Sequence, residues 1–466
     1  MRITISNDVR IEEPEDVILQ FCESELTLNN PEYEKKQRLG LWLGNTPRKI
    51  RLFKMDGKAL ICPIGAFKRI KGIIDELNIK TSYLTDFAPY KAIDYGNKEI
   101  SLYDYQETAV EAMLNRGYGI LQSPAGSGKT QMGIAMILKA KSRALWLTHT
   151  NDLLQQSYDR ACLYTDKSKL GKITAGKVQI GEGITFSTVQ TLSKQDMTQY
   201  KYVWDMVICD ECHRCAGSPS KMTQFSKVIS NLAAARKYGL SATVHRADGL
   251  IKEAFALVGD IGYTVPQSAV ADKVMTVTVE RIKTPVNGLP QSVLDTDGTI
   301  IYSKLISWIS GVYERNMQIA HKLIENKEHY NLVLSDRLDQ LRDIIESMPD
   351  YLKDDCVMID GSMTSKKGKA QREQAIEDMR NGKKHFLFAS YRLAKEGLDI
   401  PRLDRLHLAT PQKDYAIIVQ SVGRIARTFD GKDTPICYDY VDNVGIFERM
   451  YKQRCTNYKK CGCVLK

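Results

Sequence analysis

The stretch Ser123-Pro-Ala-Gly-Ser-Gly-Lys-Thr130 constrains this chain more than any other. The apolar run Tyr118–Gln122 before it reads as a short buried strand, and Met132, Ile134, Ala135, Ile137 and Leu138 after it share one face of a helix. A strand that turns through a glycine loop into a helix opening on Lys-Thr leaves backbone N–H groups converging at the helix N-terminus, where they cradle phosphate. Gly126 and Gly128 let the backbone curl, with Pro124, Ala125 and Ser127 completing the loop. Lys129 would set a point charge on the β/γ-phosphates, and Thr130 offers a hydroxyl to Mg²⁺. A glycine-rich turn without a ligand is the alternative, and the order strand, loop, helix argues against it. The chain is expected to bind a nucleoside triphosphate on an α/β fold.

A second apolar strand ends in Asp210-Glu-Cys-His213. Asp210 is placed to hold Mg²⁺ through water, and Glu211 to orient or deprotonate an attacking water. His213 lies two residues on, where it could couple this loop to motion elsewhere. Cys209, Cys212 and Cys215 have the spacing of a metal cluster, but Cys209 belongs to the strand and the acids already have a role, so no ligand set is read there. Three more strands end in hydroxyls or amides, at Thr148, at Thr188 with Gln190, and at Ser241 with Thr243. Ligands of open α/β sheets gather at the carboxyl ends of strands, so the first two of these tips are candidates for gripping a nucleic-acid strand. Helix capping is the competing use of each. Gln106, upstream of the loop at the start of a helix, could read an adenine edge or be an ordinary polar surface residue.

Residues 1–97 read as a separate small α/β module. From Lys35 to Lys71 it holds eleven Lys/Arg against one Asp, with Trp42, Phe53 and Phe67 interleaved. Lys49-Ile-Arg-Leu-Phe-Lys54 alternates like a half-buried strand with a basic outer face. Lys49, Arg51 and Lys54 then suit a phosphate backbone with bases stacked alongside, or else form a solvated face over an aromatic core. The net charge of +10 agrees with a polyanionic partner without proving one. No stretch approaches the ~18 apolar residues of a membrane span. Eleven scattered cysteines fit reduced thiols in a cytoplasm better than a disulfide framework. The tail from Phe447 is basic, and its three cysteines lack a fourth ligand for zinc. Thr284–Gly298 is turn-rich and reads as a surface excursion.

The P-loop, Asp210-Glu-Cys-His213 and Ser241-Ala-Thr243, in this order, resemble the superfamily 2 helicases. Leu332–Arg337, Ala389–Pro401 and Gln420–Arg427 resemble that family's motifs IV, V and VI. The run Val244–Gly249 and the stretches Asn30–Tyr33 and Asn45–Arg48 resemble the DNA-directed branch that includes XPB and the phage UvsW-like proteins. Tyr103 stands where an Arg is common in that family.

The resemblance implies two tandem RecA-like lobes, near 98–265 and 266–466, parallel sheets flanked by helices, with ATP in the cleft between them. It implies Arg427 as the arginine finger and Arg424 as a phosphate or Glu211 partner. If their stretch is helical, the two share a face. Gly397 and Asp399 would meet the nucleotide, Gln420 would join His213, Ser241 and Thr243 in coupling, and Arg246 and Ser335 would join the nucleic-acid contacts. The function implied is an ATP- and Mg²⁺-dependent DNA helicase or translocase working on branched, forked or duplex DNA in recombination, repair or replication. An RNA helicase, the motor part of a restriction system and a nucleotide-switched DNA-remodelling protein are the rival readings.

Overall fold

The computed structural model describes every residue except 97, 125, 216–223, 243, 245–250, 362, 364, 396, 397 and 399, and omits the side chains of 215, 271–273, 366, 394 and 395. The chain divides into two compact units. One comprises Met1–Ser123 with Gly128–Pro266, the other Gln267–Lys466 with Pro124–Ser127.

The first unit begins with a five-stranded sheet in the order Lys54–Asp56, Ala59–Pro63, Asp8–Glu12, Arg2–Ile5, Ser82–Thr85. Burial alternates along Arg2–Ile5 and Asp8–Glu12, so Ile3, Ile5, Val9 and Ile11 face one side. Helices Asp16–Glu25 and Phe67–Glu76 cover that side with Ile18, Cys22, Ile70 and Ile74. Each buried aliphatic removed from water contributes about 1.5–3 kcal/mol. The run Lys49–Lys54 is not one strand. Lys49–Arg51 pairs with Thr27–Asn29 in a separate two-stranded sheet, while Lys54 opens a strand of the main sheet. Between them Leu52 and Phe53 pack against the core, which bends the chain.

Residues 86–95 tie this module to the rest of the unit. Asp86 meets Lys201 and Tyr202, Ala88 N–H donates to Ala233 O at 2.7 Å, and Tyr95 donates to Ser142 O at 2.6 Å. Gly65 lies so close to the Phe255–Ala256 backbone that a Cβ there would come within 1.9 Å of Phe255 O. No other residue type fits that approach.

An eight-stranded sheet follows in the order Lys177–Gln179, Leu170–Thr174, Ile184–Thr188, Ala144–Thr148, Met206–Asp210, Arg236–Ser241, Tyr118–Gln122, Ile261–Thr264. All neighbours pair parallel except the first two. Helices on both faces leave the central strands buried throughout, which is why they read as unbroken apolar runs.

The second unit holds seven parallel strands, Cys356–Ile359, Phe386–Ser390, Asn331–Ser335, Arg405–Leu408, Ile436–Asn443, Thr278–Asn287 and Val464–Leu465. The expected surface excursion at 284–298 is more integrated than its turn residues suggest. Its first residues belong to the Thr278–Asn287 strand, and Val286 and Val293 are buried with Leu305, Ile309 and Phe447 in a satellite core. Among the described residues no helix is long and apolar enough to cross a membrane.

Candidate active site

Sheet order assembles the site in the first unit. The Met206–Asp210, Arg236–Ser241 and Tyr118–Gln122 strands are neighbours, so Asp210, Ser241 and Ser123 arrive at one edge although far apart in sequence. Ser123 N–H donates to Ser241 O at 3.0 Å, locking the start of the loop to the adjacent tip. Gly126 and Gly128 sit at φ +81° and +79°, the left-handed region that glycine enters without strain. The helix Lys129–Ala140 starts there, and Lys129 Nζ donates to Ser123 O at 3.3 Å.

Gln106 is buried, not on the surface. Its Oε1 accepts the Tyr103 N–H at 3.0 Å in a capping box at the start of helix Asp104–Arg116. Its Nε2 lies against Gly128, where a Cβ would approach it to 2.5 Å. Tyr103 and Tyr105 stack alongside, ring centroids 5.9 Å apart.

Glu211 adopts φ +51°, a strained conformation for a residue with a Cβ. His213 Nδ1 lies 3.2 Å from Glu211 Oε2 and 3.0 Å from Ser241 Oγ. A carboxylate beside Nδ1 favours the tautomer with the proton on that nitrogen. Burial works against the Glu211 charge, but the His213 imidazole, with Lys129 and Arg214 nearby, outweighs it and holds the carboxyl below its usual range. Asp210 goes the other way, pushed up by burial first and then by the Glu211 charge. Two adjacent carboxyls thus split, one firmly ionised and one short of positive charge. Arg214 is a contributor that sequence reasoning passed over, and its place directly after His213 was the available signal.

Other tip residues are engaged internally. Thr148 is fully buried and its hydroxyl donates to Thr150 O at 3.0 Å. Thr188 caps the helix Val189–Leu192, accepting from Thr191 N–H. Thr188 thus takes the capping role, while Thr148 is bonded to the backbone of Thr150, the residue that caps the helix Asn151–Cys162. Gln190 is exposed, with Nε2 donating to His149 O at 2.8 Å. Lys49, Arg51 and Lys54 are exposed, and Arg51 pairs with Glu23 at 3.2 Å. Ala125, Thr243, Arg246, Gly397 and Asp399 lie outside the described residues.

In the second unit Ser335 is buried, its hydroxyl bonded to Gln340 Oε1 at 2.7 Å and to Arg337 N–H at 2.9 Å. The helix Tyr415–Ile425 carries Gln420, buried, and Arg424, whose Nη1 donates to Leu398 O at 2.9 Å. Arg427 is not on that helix. Ala426 ends it, and Arg427 forms an antiparallel bridge with Val274, supported by Met275 N–H on Ala426 O at 2.7 Å. The shared helical face expected for the two arginines is absent.

Residues 99–246 match the family model for the type III restriction enzyme res subunit, and 315–429 that for the helicase conserved C-terminal domain. A protein of Acanthamoeba polyphaga mimivirus, provisionally named an ATP-dependent RNA helicase, is 30% identical over 75% of this chain and 65% of its own length. The ATP-dependent DNA helicase UvsW of Enterobacteria phage T4 is 24% identical over 78% of this chain and 72% of its own. A fragment assigned to the HsdR subunit of a type I restriction enzyme from Vibrio vulnificus matches in fold, with TM-score 0.57 and 15% identity over 97% of this chain and 82% of that one. The chain belongs to the superfamily 2 helicases, a family of ATP-hydrolysing enzymes, with XPB and phage UvsW proteins among its relatives.

Proposed function

We infer that the chain hydrolyses ATP to translocate on DNA, acting on branched or forked molecules. The observation that carries this is the cluster of Glu211, His213 and Ser241 on neighbouring strand tips beside the phosphate-type loop. A carboxylate kept ionised, held in a strained backbone and tied to a second strand through an imidazole, is suited to orienting water and reporting its state to the next strand.

In this reading Lys129 and the loop N–H groups hold the phosphates, and Gln106 with Tyr103 meets the base. Thr130 and Asp210 would hold Mg²⁺. Both offer the oxygen donors that ion takes, and burial leaves the Asp210 carboxyl in want of a cation. The ion would neutralise charge on the β- and γ-phosphates. Glu211 orients the water that attacks the γ-phosphorus, the bond to the β-bridging oxygen breaks, and ADP and phosphate result. Arg424 and Arg427 are assigned to the charge that builds on the γ-phosphate, with Gly397 and Asp399 toward the ribose side. Gln420, Ser241 and Thr243 couple hydrolysis to movement. Lys49, Arg51 and Lys54 grip the DNA backbone.

The name of the mimivirus relative favours a second reading, an RNA helicase. ATPase turnover measured in parallel with no nucleic acid, single-stranded DNA, blunt duplex, forked DNA and RNA separates the two. Greatest stimulation by forked DNA is expected; stimulation by RNA alone would replace the DNA reading, and none by any nucleic acid would end both.

A further inference from the structure

Of the three aromatics interleaved with the basic stretch, Phe53 and Phe67 pack into the module's core. Trp42 does the opposite, with 89% of its surface exposed. The other tryptophans differ sharply, since Trp146 and Trp204 are buried and Trp308 packs against the satellite core.

The loop that carries Trp42 is built, not loose. Asn30 caps the helix Pro31–Arg38 and reaches across to Pro47 O at 2.6 Å. Lys36 Nζ donates to Thr46 Oγ1 at 2.7 Å, and Thr46 N–H to Leu43 O at 3.0 Å. Gly44, at φ +49°, lies under the indole, where a Cβ would stand 3.0 Å from the ring. A large apolar ring fixed in water by a hydrogen-bonded frame costs hydration free energy with nothing in the described chain to recover it.

Charge decides among occupants. From Lys35 to Met55 there are seven Lys/Arg and no acid. Lys35, Arg38, Arg48 and Lys49 make no ion pair among the described residues. An exposed apolar ring in a cation-rich stretch matches a nucleotide strand, whose bases stack on indole while phosphates meet the cations. It repels a second copy of the same basic patch.

We propose that Trp42 stacks on an unpaired base where DNA opens, as at a fork, while the flanking cations hold the adjoining backbone. The proposal rests on the DNA reading given above. It adds a site that distinguishes opened from fully paired DNA, because a base is free to stack only where pairing is broken.

The test uses the full chain and fluorescence anisotropy with forked DNA, single strand, blunt duplex and RNA of matched length. Trp42→Ala should weaken binding to fork and single strand by about 5- to 150-fold, the range expected for one stacked base. Blunt-duplex affinity and its salt slope should stay as in the parent. Trp42→Phe should recover most of the loss, and Gly44→Ala, which pushes on the indole, should reproduce part of it. Tryptophan emission of the parent should be quenched by fork and not by blunt duplex. An equal loss on duplex and fork, or unchanged fork binding by Trp42→Ala, overturns the stacking role. So does a concentration-dependent dimer, seen by sedimentation, that Trp42→Ala abolishes. The paired charge reversal Lys49→Glu with Arg51→Glu checks the underlying reading separately. If it leaves the duplex salt slope unchanged, the DNA face itself fails, whatever Trp42 does.

Discussion

Removing the His213 imidazole should change how hydrolysis depends on pH, not only its rate. In the intact site Glu211 is held below its usual range against the effect of burial, with the imidazole first among the groups responsible. Asp210, its buried neighbour, is pushed up. A hydrogen bond to a charged group contributes about 1.5–3 kcal/mol, and about 1.4 kcal/mol corresponds to one pH unit. His213→Ala should therefore lift the Glu211 carboxyl by ~1–2 units, with burial then acting unopposed by the imidazole. The sign follows: the active form is the ionised one, so activity is lost as pH falls through the folded value, and raising that value moves the loss toward neutrality. With the Glu211 carboxyl lifted from about 2, profiles of kcat/KM against pH carried down to 3.5 should stay nearly flat for the parent and begin to fall below about pH 5 for His213→Ala. His213→Gln, which can still donate, should lie between them. Ser241→Ala keeps the imidazole and removes only a neutral partner worth about 1 kcal/mol, so it should cost roughly fivefold in rate with little change of profile. A His213→Ala profile that superimposes on the parent after scaling would refute the view that the imidazole keeps Glu211 ionised.

Glu211→Gln should retain ATP binding while turnover drops by roughly 10²-fold or more, measured by nucleotide binding and phosphate release; wild-type turnover would displace Glu211 from its role. Arg427→Ala should lower kcat far more than it raises KM, since the charge it meets matures in the transition state; weaker binding at unchanged kcat would count against it. Lys237, buried with Nζ on Ile229 O at 3.2 Å, has its ammonium pulled down to about 8 by desolvation. The unfolded chain then binds more protons between about pH 8 and 10.4, so stability should rise with pH across that window. Lys237→Met should flatten the rise and add ~1–3 kcal/mol near pH 7 in urea unfolding; a steeper rise in the variant would contradict the assigned cause.

The central strands were legible because each is a five- or six-residue apolar run buried on both faces, a pattern few other environments permit. Tyr118–Gln122 and the strand ending at Asp210 are examples. Gln106 was open from sequence, since its amide suits an adenine edge and a polar surface equally; what buries it beside Gly128 is the packing of two helices, which leaves no local trace. Arg427 shows the converse failure. Its motif has helical spacing, but the helix is ended by pairing with Val274, far earlier in the chain. The hydroxyls of Thr148 and Thr188 were ambiguous from sequence, because capping and ligand binding ask for the same side chains. In the fold both are bonded to local backbone groups.

The way the N-terminal module is attached decides how its role can be tested. Ser142, Gly183 and Ala233, which receive Tyr95 and Ala88, each lie just before a strand of the large sheet, at its amino edge. Asp210, Ser241 and Ser123 lie at the carboxyl edge, five strand residues away along Ala144–Thr148 and its neighbours, or roughly 16 Å. Docking and nucleotide chemistry therefore occupy opposite ends of the same strands. Deleting residues 1–97 would remove no phosphate-loop residue, but it would uncover the Ala233 backbone and the surfaces covered by Ala88, Ile93 and Tyr95, all buried. It would also open the close seam at Gly65. A truncated chain that no longer bound DNA could have failed by unfolding at its amino edge. Charge reversal at Lys49 and Arg51 touches none of these seams, since both side chains are exposed and the Glu23 pair is a surface one of small net worth. The slope of log K against log salt should then fall by about 0.9 for each duplex phosphate that the face no longer neutralises, with ATP affinity measured without DNA as the control for an intact fold. An unchanged slope would return this face to the role of a solvated surface over a small core.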